Sequence, residues 1–354
     1  DRRRSRLGYT ITYEPAVPPM NDPLTPGEAV YGSLEPVNMM TSYYPVYVPS
    51  GADVLRIDIF DAGGDIDLFV NREQAAADLF SSDYYNQTLR SRESIVIDSR
   101  SDPPLRSGRY VIAVVDQIAF EEKADFGIMA SFSETAPASI SSIPDLNRNT
   151  SDLDRAVLST VEVLSTSGSG SGVVVSSRGH ILTNYHVIED LSGRASEELW
   201  VAVSLDLRRP PQEYFTARVL ETLPDADLAL IQISGDLGMR PLPAWYRFPY
   251  LGLGEVDQLG LGDMLRVIGY PGVGGTGSRA SLTYTRGIVS GFQDHRRGTV
   301  IKTDALINQG NSGGAGLNAD YELVGLPTLV VGADGGAIGY LFGVDMIPED
   351  WRRQ

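Results

Sequence analysis

Asn308-Gln309-Gly310-Asn311-Ser312-Gly313-Gly314 sets a serine between glycines, with strand-like sequence before it (Thr299 to Thr303) and after it (Leu323 to Val331). Glycines let the backbone turn tightly and approach a bound group closely. A serine held on such a turn presents its hydroxyl outward while neighbouring N–H groups converge on one point, as a nucleophilic serine requires. Alone, the stretch reads equally well as a glycine-rich hairpin loop of a β protein. A base and an orienting acid elsewhere in the chain would decide between the two.

The chain has three histidines, His180, His186 and His295. Imidazole is the usual base for a serine because its pKa lies near working pH. His186 closes the run Ile181-Leu182-Thr183-Asn184-Tyr185-His186, where an apolar strand gives way to a turn able to hold a ring rigidly at a domain edge. His180 reads as a surface or packing residue, and His295, in Asp294-His295-Arg296-Arg297-Gly298, as part of an exposed charged turn. The acid that orients an imidazole and stabilises its charged form is sought in Pro224-Asp225-Ala226-Asp227-Leu228-Ala229-Leu230-Ile231. Asp227 abuts the apolar strand, whose packing would fix it, and is preferred to Asp225, further out on the turn. The candidates follow the order His186, Asp227, Ser312, with separations 227 − 186 = 41 and 312 − 227 = 85. That is the chain order of the chymotrypsin arrangement, not of subtilisin or the α/β-hydrolases.

Short strand patterns separated by turn signals run through the whole chain. Residues 1–35 are polar and proline-rich and read as an extended segment joining the next unit. Over 36–133, Leu55, Ile57 and Ile59 alternate with Arg56 and Asp58, and Ile66 to Val70, Ser94 to Ile97, Tyr110 to Val115 and Phe126 to Phe132 follow, the spacing of a β-sandwich. Residues 134–156 have linker composition. From 157 to 348 glycine-punctuated strands resume without long helical periodicity, which fits closed antiparallel barrels; 349–354 is a short tail. The expected fold class is all-β.

Two stretches carry resemblances. Val46-Tyr47-Val48-Pro49-Ser50-Gly51, Gly64-Asp65-Ile66-Asp67-Leu68-Phe69-Val70 and Ser107-Gly108-Arg109-Tyr110-Val111-Ile112-Ala113-Val114 resemble the bacterial pre-peptidase C-terminal (PPC) domain, implying a jelly-roll-like sandwich, here placed before the second unit. Gly170-Ser171-Gly172-Val173-Val174-Val175-Ser176, Gly179 to Val187, Asp227-Leu228-Ala229-Leu230-Ile231, Val267-Ile268-Gly269-Tyr270-Pro271, Gly287-Ile288-Val289-Ser290-Gly291 and Thr303 to Gly314 resemble, in family order, the HtrA (Deg) branch of trypsin-like serine peptidases. This second resemblance implies a chymotrypsin-like double β-barrel with its site between the barrels. His186 would be the base, Asp227 its orienter and Ser312 the nucleophile. The N–H groups of Gly310 and Ser312 would form the oxyanion hole. The implied activity is endopeptidase hydrolysis of a protein or peptide substrate through an acyl-enzyme, without a cofactor. The sequence departs from the family in having Gln309 where Pro is frequent, and in ending at Gln354 without the usual PDZ domain. Asn311 before the nucleophile, where digestive relatives carry Asp, disfavours activation by a new N-terminus. Leu306 at the pocket base, with Ile307 and Tyr340 at the wall and Phe342 nearby, implies cleavage after small or medium aliphatic residues.

Composition limits the alternatives. Net charge −17 disfavours nucleic acid and anionic membrane as partners. The absence of cysteine excludes disulfides, thiolate catalysis and Cys-type zinc sites. No apolar run approaches the ~18–20 residues of a membrane helix, so membrane insertion is not expected. The chain opens Asp1-Arg2-Arg3-Arg4 without Met, which reads as a processed product with an export signal removed, hence extracytoplasmic, periplasmic or secreted. Asp61, Asp65 and Asp67 crowd one loop and could ligate Ca²⁺, although a solvated acidic turn is the plainer reading. The rival function is a catalytically idle, chaperone-like binding protein that captures partners with its sandwich; an esterase would need alternating helices that the pattern lacks.

Overall fold

The computed structural model describes residues 18–34, 41–78, 80–88, 92–116, 123–134, 143–146, 151–271, 281–332 and 337–353. Residues 1–17 and 35 of the proline-rich lead-in, 135–142 and 147–150 of the linker, and Gln354 lie outside the described residues.

The first eight strands are β1 (Val30–Leu34), β2 (Thr41–Val48), β3 (Val54–Phe60), β4 (Ile66–Arg72), β5 (Tyr84–Asn86), β6 (Glu93–Asp98), β7 (Gly108–Asp116) and β8 (Ala124–Ser131). They form two four-stranded antiparallel sheets, ordered β1-β8-β3-β6 and β2-β7-β4-β5. Their inward positions, Leu55, Ile57 and Ile59 from one sheet and Leu68, Val70, Ile112 and Val114 from the other, share one core. The period-2 alternation of β3 thus faces a sheet, as a strand's geometry requires.

Helix α1 (Asp152–Ser159) begins inside the stretch with linker composition and is fixed by a capping box between Ser151 and Asp154. It leads into β9 (Thr160–Ser165), β10 (Gly168–Val174), β11 (His180–Thr183), the single turn α2 (Tyr185–Ile188), β12 (Leu199–Val203), β13 (Gln212–Leu223) and β14 (Leu228–Asp236). The second set is β15 (Met264–Gly269), β16 (Thr283–His295), β17 (Gly298–Thr303), β18 (Ala315–Leu317), β19 (Leu323–Gly332) and β20 (Ala337–Gly343). Each set closes into a six-stranded antiparallel barrel, β10-β11-β14-β13-β12-β9 and β15-β16-β17-β20-β19-β18. Closure removes sheet edges. The chain is therefore all-β, with a chymotrypsin-like double barrel after the N-terminal sheets. No described helix is long and apolar enough to cross a membrane.

Part of the stretch read as linker is built into the first barrel. Leu146 is 2% exposed and lies in the cluster of Val163, Phe215, Tyr246 and Phe248, and the Tyr246 hydroxyl donates to the Pro144 carbonyl at 2.6 Å. The sandwich touches the same barrel at the start of β13. Gln212 Nε2 donates to the Ala62 carbonyl at 3.0 Å, and the Arg92 guanidinium lies 5.0 Å over the Tyr214 ring. Counted along the chain at ~3.3 Å per residue, up to about 35 Å of strand separates that contact from the Leu223 end of β13, beyond which Asp227 lies. The sandwich thus sits at the end of this strand away from Asp227.

Candidate active site

The apolar strand β11 is buried in the first barrel and delivers Asn184 and His186 to its rim. β13 and β14 are joined by a 3-10 turn, Pro224–Ala226, closed by the Asp227 N–H on the Pro224 carbonyl at 3.0 Å. Asp227 itself takes the left-handed conformation, φ 49°, which short polar side chains tolerate better than branched ones. This turns its carboxylate back over α2. His186 Nδ1 lies 2.8 Å from Asp227 Oδ2, and the His186 backbone N–H donates to Oδ1 at 3.0 Å. A carboxylate only accepts, so the ring donates from Nδ1 and leaves the Nε2 lone pair available as a base. The ring is exposed, with 45% of its side chain accessible, so a substrate can reach it. Asp225 points elsewhere, forming an ion pair with Arg296 at 3.1 Å.

Two side chains that the sequence pattern had not marked complete the support of Asp227. The Thr328 hydroxyl, on β19 of the other barrel, donates to Asp227 Oδ2 at 3.0 Å. Asn184 Nδ2 donates to the Asp227 carbonyl at 2.8 Å. Asn184 lay within the quoted histidine stretch, but nothing in the sequence singles out Thr328 within its strand.

Ser312 is half-buried on the turn between β17 and β18. The turn is closed by the Asn311 N–H on the Asn308 carbonyl at 3.0 Å, and Gly310 stands at φ 95°. A positive φ at the third residue is the type II arrangement. Gly313, at φ 78°, is held against the first barrel: a Cβ there would stand 2.9 Å from the Asn184 N. The Gly313 N–H donates to the Pro327 carbonyl at 2.9 Å, one residue before Thr328. The turn carrying Ser312 therefore rests on the same two segments, 184–186 and 327–328, that hold the His186–Asp227 pair. The Ser312 hydroxyl makes no hydrogen bond among the described residues, to His186 included. The N–H groups of Gly310 and Ser312 are likewise unengaged among the described residues, as donors waiting for an outside acceptor would be.

The four residues expected at the substrate pocket divide. Ile307 is buried, with Cδ1 only 2.5 Å from where a Cβ on Gly339 would stand. That is the face of β20 that also carries the core residue Leu341. By strand alternation Tyr340 and Phe342 take the opposite face, where Phe342 stacks on His295 with ring centroids 6.3 Å apart. Leu306 is 57% exposed. His180 is buried against Ser176, its Nδ1 2.6 Å from the hydroxyl. The loop of Asp61, Asp65 and Asp67 is not a solvated turn, because Asp65 and Asp67 are each 7% exposed. No three His, Cys, Asp or Glu side chains are placed to hold a metal ion among the described residues.

The fold and site place the chain beside the trypsin-like peptidases, and comparison of sequences agrees. Residues 170–326 match the trypsin-like peptidase domain family. Among curated relatives, the periplasmic serine endoprotease DegP of Salmonella typhimurium is 35% identical over 182 residues, 49% of this chain and 33% of the relative. A probable periplasmic serine endoprotease, DegP-like, of Chlamydia trachomatis is 32% identical over 180 residues, 49% of this chain and 31% of the relative. The chain thus spans about a third of the length of these relatives. Among solved structures, the HtrA-type protease AlgW with a tripeptide aligns with TM-score 0.44 and 28% identity, covering 55% of this chain and 59% of that one.

Proposed function

We propose that the protein is a serine endopeptidase in which His186 is the base, Asp227 its orienter and Ser312 the nucleophile. The observation that carries this reading is the His186–Asp227 pair, 2.8 Å apart, beside a serine turn with two unengaged N–H groups. His186 Nε2 takes the Ser312 proton as the hydroxyl oxygen attacks the peptide carbonyl. The N–H groups of Gly310 and Ser312 hold the tetrahedral oxyanion. His186 then protonates the leaving amine, and water repeats the sequence on the acyl-enzyme. Asp227 keeps the ring in the tautomer that accepts at Nε2.

Leu306 and Ile307 put no acidic group beside the serine turn, so we assign a small or medium aliphatic P1 residue, bound by burial at roughly 25 cal/mol per Å² of apolar surface. Cleavage mostly after Arg or Lys in a profiled peptide library would refute that preference. The N-terminal sandwich is assigned to the PPC-like class, on its strand motifs and paired sheets. An extracytoplasmic location is supported by the periplasmic relatives, and recovery of the native protein from cytosol would refute it.

The peptidase reading is tested with a fluorophosphonate probe and labelled casein. The whole chain labels at Ser312 and degrades casein; Ser312→Ala does neither, and His186→Ala labels slowly. An intact, folded chain that neither labels nor cleaves returns the function to the idle, chaperone-like alternative.

A further inference from the structure

Ser171 lies on β10 of the first barrel, fully buried, and every polar atom it owns is engaged. Its hydroxyl donates to the Gly310 carbonyl at 2.7 Å and accepts the Tyr270 N–H at 2.9 Å. Its backbone N–H donates to the Ser312 carbonyl at 2.9 Å. Its carbonyl accepts the Thr183 hydroxyl at 2.6 Å. One residue of the first barrel thus grips the nucleophile turn of the second at two carbonyls.

The grip follows an alternation along the turn. The 310–311 peptide is held at both ends, its carbonyl by the Ser171 hydroxyl and its N–H by the Asn308 carbonyl. The 312–313 peptide is held likewise, its carbonyl by the Ser171 N–H and its N–H by the Pro327 carbonyl. The N–H groups left open, those of Gly310 and Ser312, belong to the 309–310 and 311–312 peptides that alternate with the held ones. A type II turn needs such a grip, because glycine adopts φ of either sign about equally. Without it, Gly310 can pass to the type I arrangement, which turns the 309–310 peptide over and carries its N–H away.

We propose that Ser171 is the positioning residue of the oxyanion turn. It holds Gly310 in the conformation that leaves the N–H groups of Gly310 and Ser312 open for the substrate carbonyl oxygen. The inference rests on the peptidase reading above. Ser171 touches no reacting atom, so its removal weakens the transition state through the turn and leaves ground-state binding in place.

The test uses the whole chain with a fluorogenic peptide taken from a mapped casein cleavage site, and the aldehyde of the same acyl-side sequence as a mimic of the tetrahedral state. Ser171→Ala is expected to lower kcat about tenfold, less than the ~10²–10³ for outright loss of an oxyanion donor. KM stays within about twofold, and aldehyde affinity falls by the same factor as kcat/KM. Ser171→Cys, of similar size but a weak donor, falls between the two and serves if Ser171→Ala does not fold. Wild-type kcat in a folded Ser171→Ala or Ser171→Cys overturns the inference. So does a loss confined to KM, or one in which aldehyde affinity does not change. A wild-type chain that neither labels nor cleaves overturns the peptidase reading and this inference with it; an active wild type with an unaffected Ser171→Ala overturns this inference alone.

Discussion

The Thr328 hydroxyl, on the second barrel, donates at 3.0 Å to Oδ2 of Asp227, on the first, the same oxygen that faces His186 Nδ1. The carboxylate bonded to the His186 ring is therefore held from both barrels. Replacing Asp227 by Asn leaves the shape but offers the ring an amide, which favours the wrong tautomer; kcat is expected to fall about 10⁴-fold. Thr328→Val removes one hydrogen bond of a carboxylate that keeps its others. At about 1 kcal/mol for such a bond, kcat should fall about fivefold with KM little changed. Steady-state kinetics on one peptide substrate check both, and a Thr328→Val enzyme as slow as Asp227→Asn would show that the hydroxyl does more than steady the acid.

Gly313 adopts φ 78°, and a Cβ on it would stand 2.3 Å from the Ser171 carbonyl oxygen and 2.4 Å from the Thr183 hydroxyl oxygen. Those atoms belong to the contact between the barrels, so neither can give way without disturbing the Ser312 turn. Gly313→Ala is expected to lose fluorophosphonate labelling almost entirely and to destabilise the double barrel by more than the ~1 kcal/mol that a Gly to Ala exchange alters through chain entropy alone. A labelled, normally stable Gly313→Ala would mean that the turn is looser than its contacts imply.

The barrels and the paired N-terminal sheets were legible because period-2 alternation and glycine punctuation are local, and Leu55, Ile57 and Ile59 declare their face without reference to any partner. The His186 and Asp227 stretches were legible because each ends or begins an apolar strand, which fixes a polar side chain at a rim. Thr328 and Ser171 were not singled out. Each is an ordinary strand residue whose role arises only when two barrels, far apart in sequence, meet. The acidic loop was misleading for a related reason: Asp65 and Asp67 look solvated in sequence, but the strands around them bury both. Likewise the composition of residues 143–146 concealed Leu146, whose burial depends on Phe215 and Tyr246 of the first barrel.

Leu146 supplies a test of that last point. It precedes the stretch that matches the peptidase family, yet is 2% exposed within the core of the first barrel. Leu146→Ala should cost about 2–4 kcal/mol, lost transfer energy plus the cavity left behind. That corresponds to roughly 5–15 °C in melting temperature for a domain of this size. Differential scanning calorimetry of the whole chain reads it directly. A change below about 1 °C would show that the segment is dispensable to the barrel.

The sandwich and the first barrel should respond to pH in opposite senses. Glu93 is 2% exposed; Oε1 accepts the Thr88 N–H and hydroxyl at 2.7 and 2.8 Å, while Oε2 finds no donor among the described residues. Burial, reinforced by the Asp67 and Asp65 carboxylates and only partly offset by Thr88, pushes its pKa from 4.5 up to about 9. Between those values the folded chain keeps a proton that the unfolded chain releases. Stability is then greatest below pH 4.5 and falls as pH rises towards 9. Burial also pushes Asp67 up to about 6, against the Gln87 hydrogen bond, which adds a slope of the same sign over a narrower range. In the first barrel, burial, with Arg178 and Arg218 nearby, lowers the His180 pKa below its ordinary 6.5. There the unfolded chain takes up the proton first, so stability is lost as pH falls below 6.5. Among the described residues the two units share no sheet and meet at the Gln212–Ala62 and Arg92–Tyr214 contacts, which favours separate melting transitions. From pH 8 to pH 5 the sandwich transition should move up and the barrel transition down. Glu93→Gln keeps an acceptor for Thr88 and offers the neighbouring carboxylates an amide donor. It should raise the sandwich transition at pH 8 and flatten its dependence above pH 6. A wild-type sandwich whose melting temperature is level between pH 5 and pH 8.5 would show that Glu93 ionises in place without penalty.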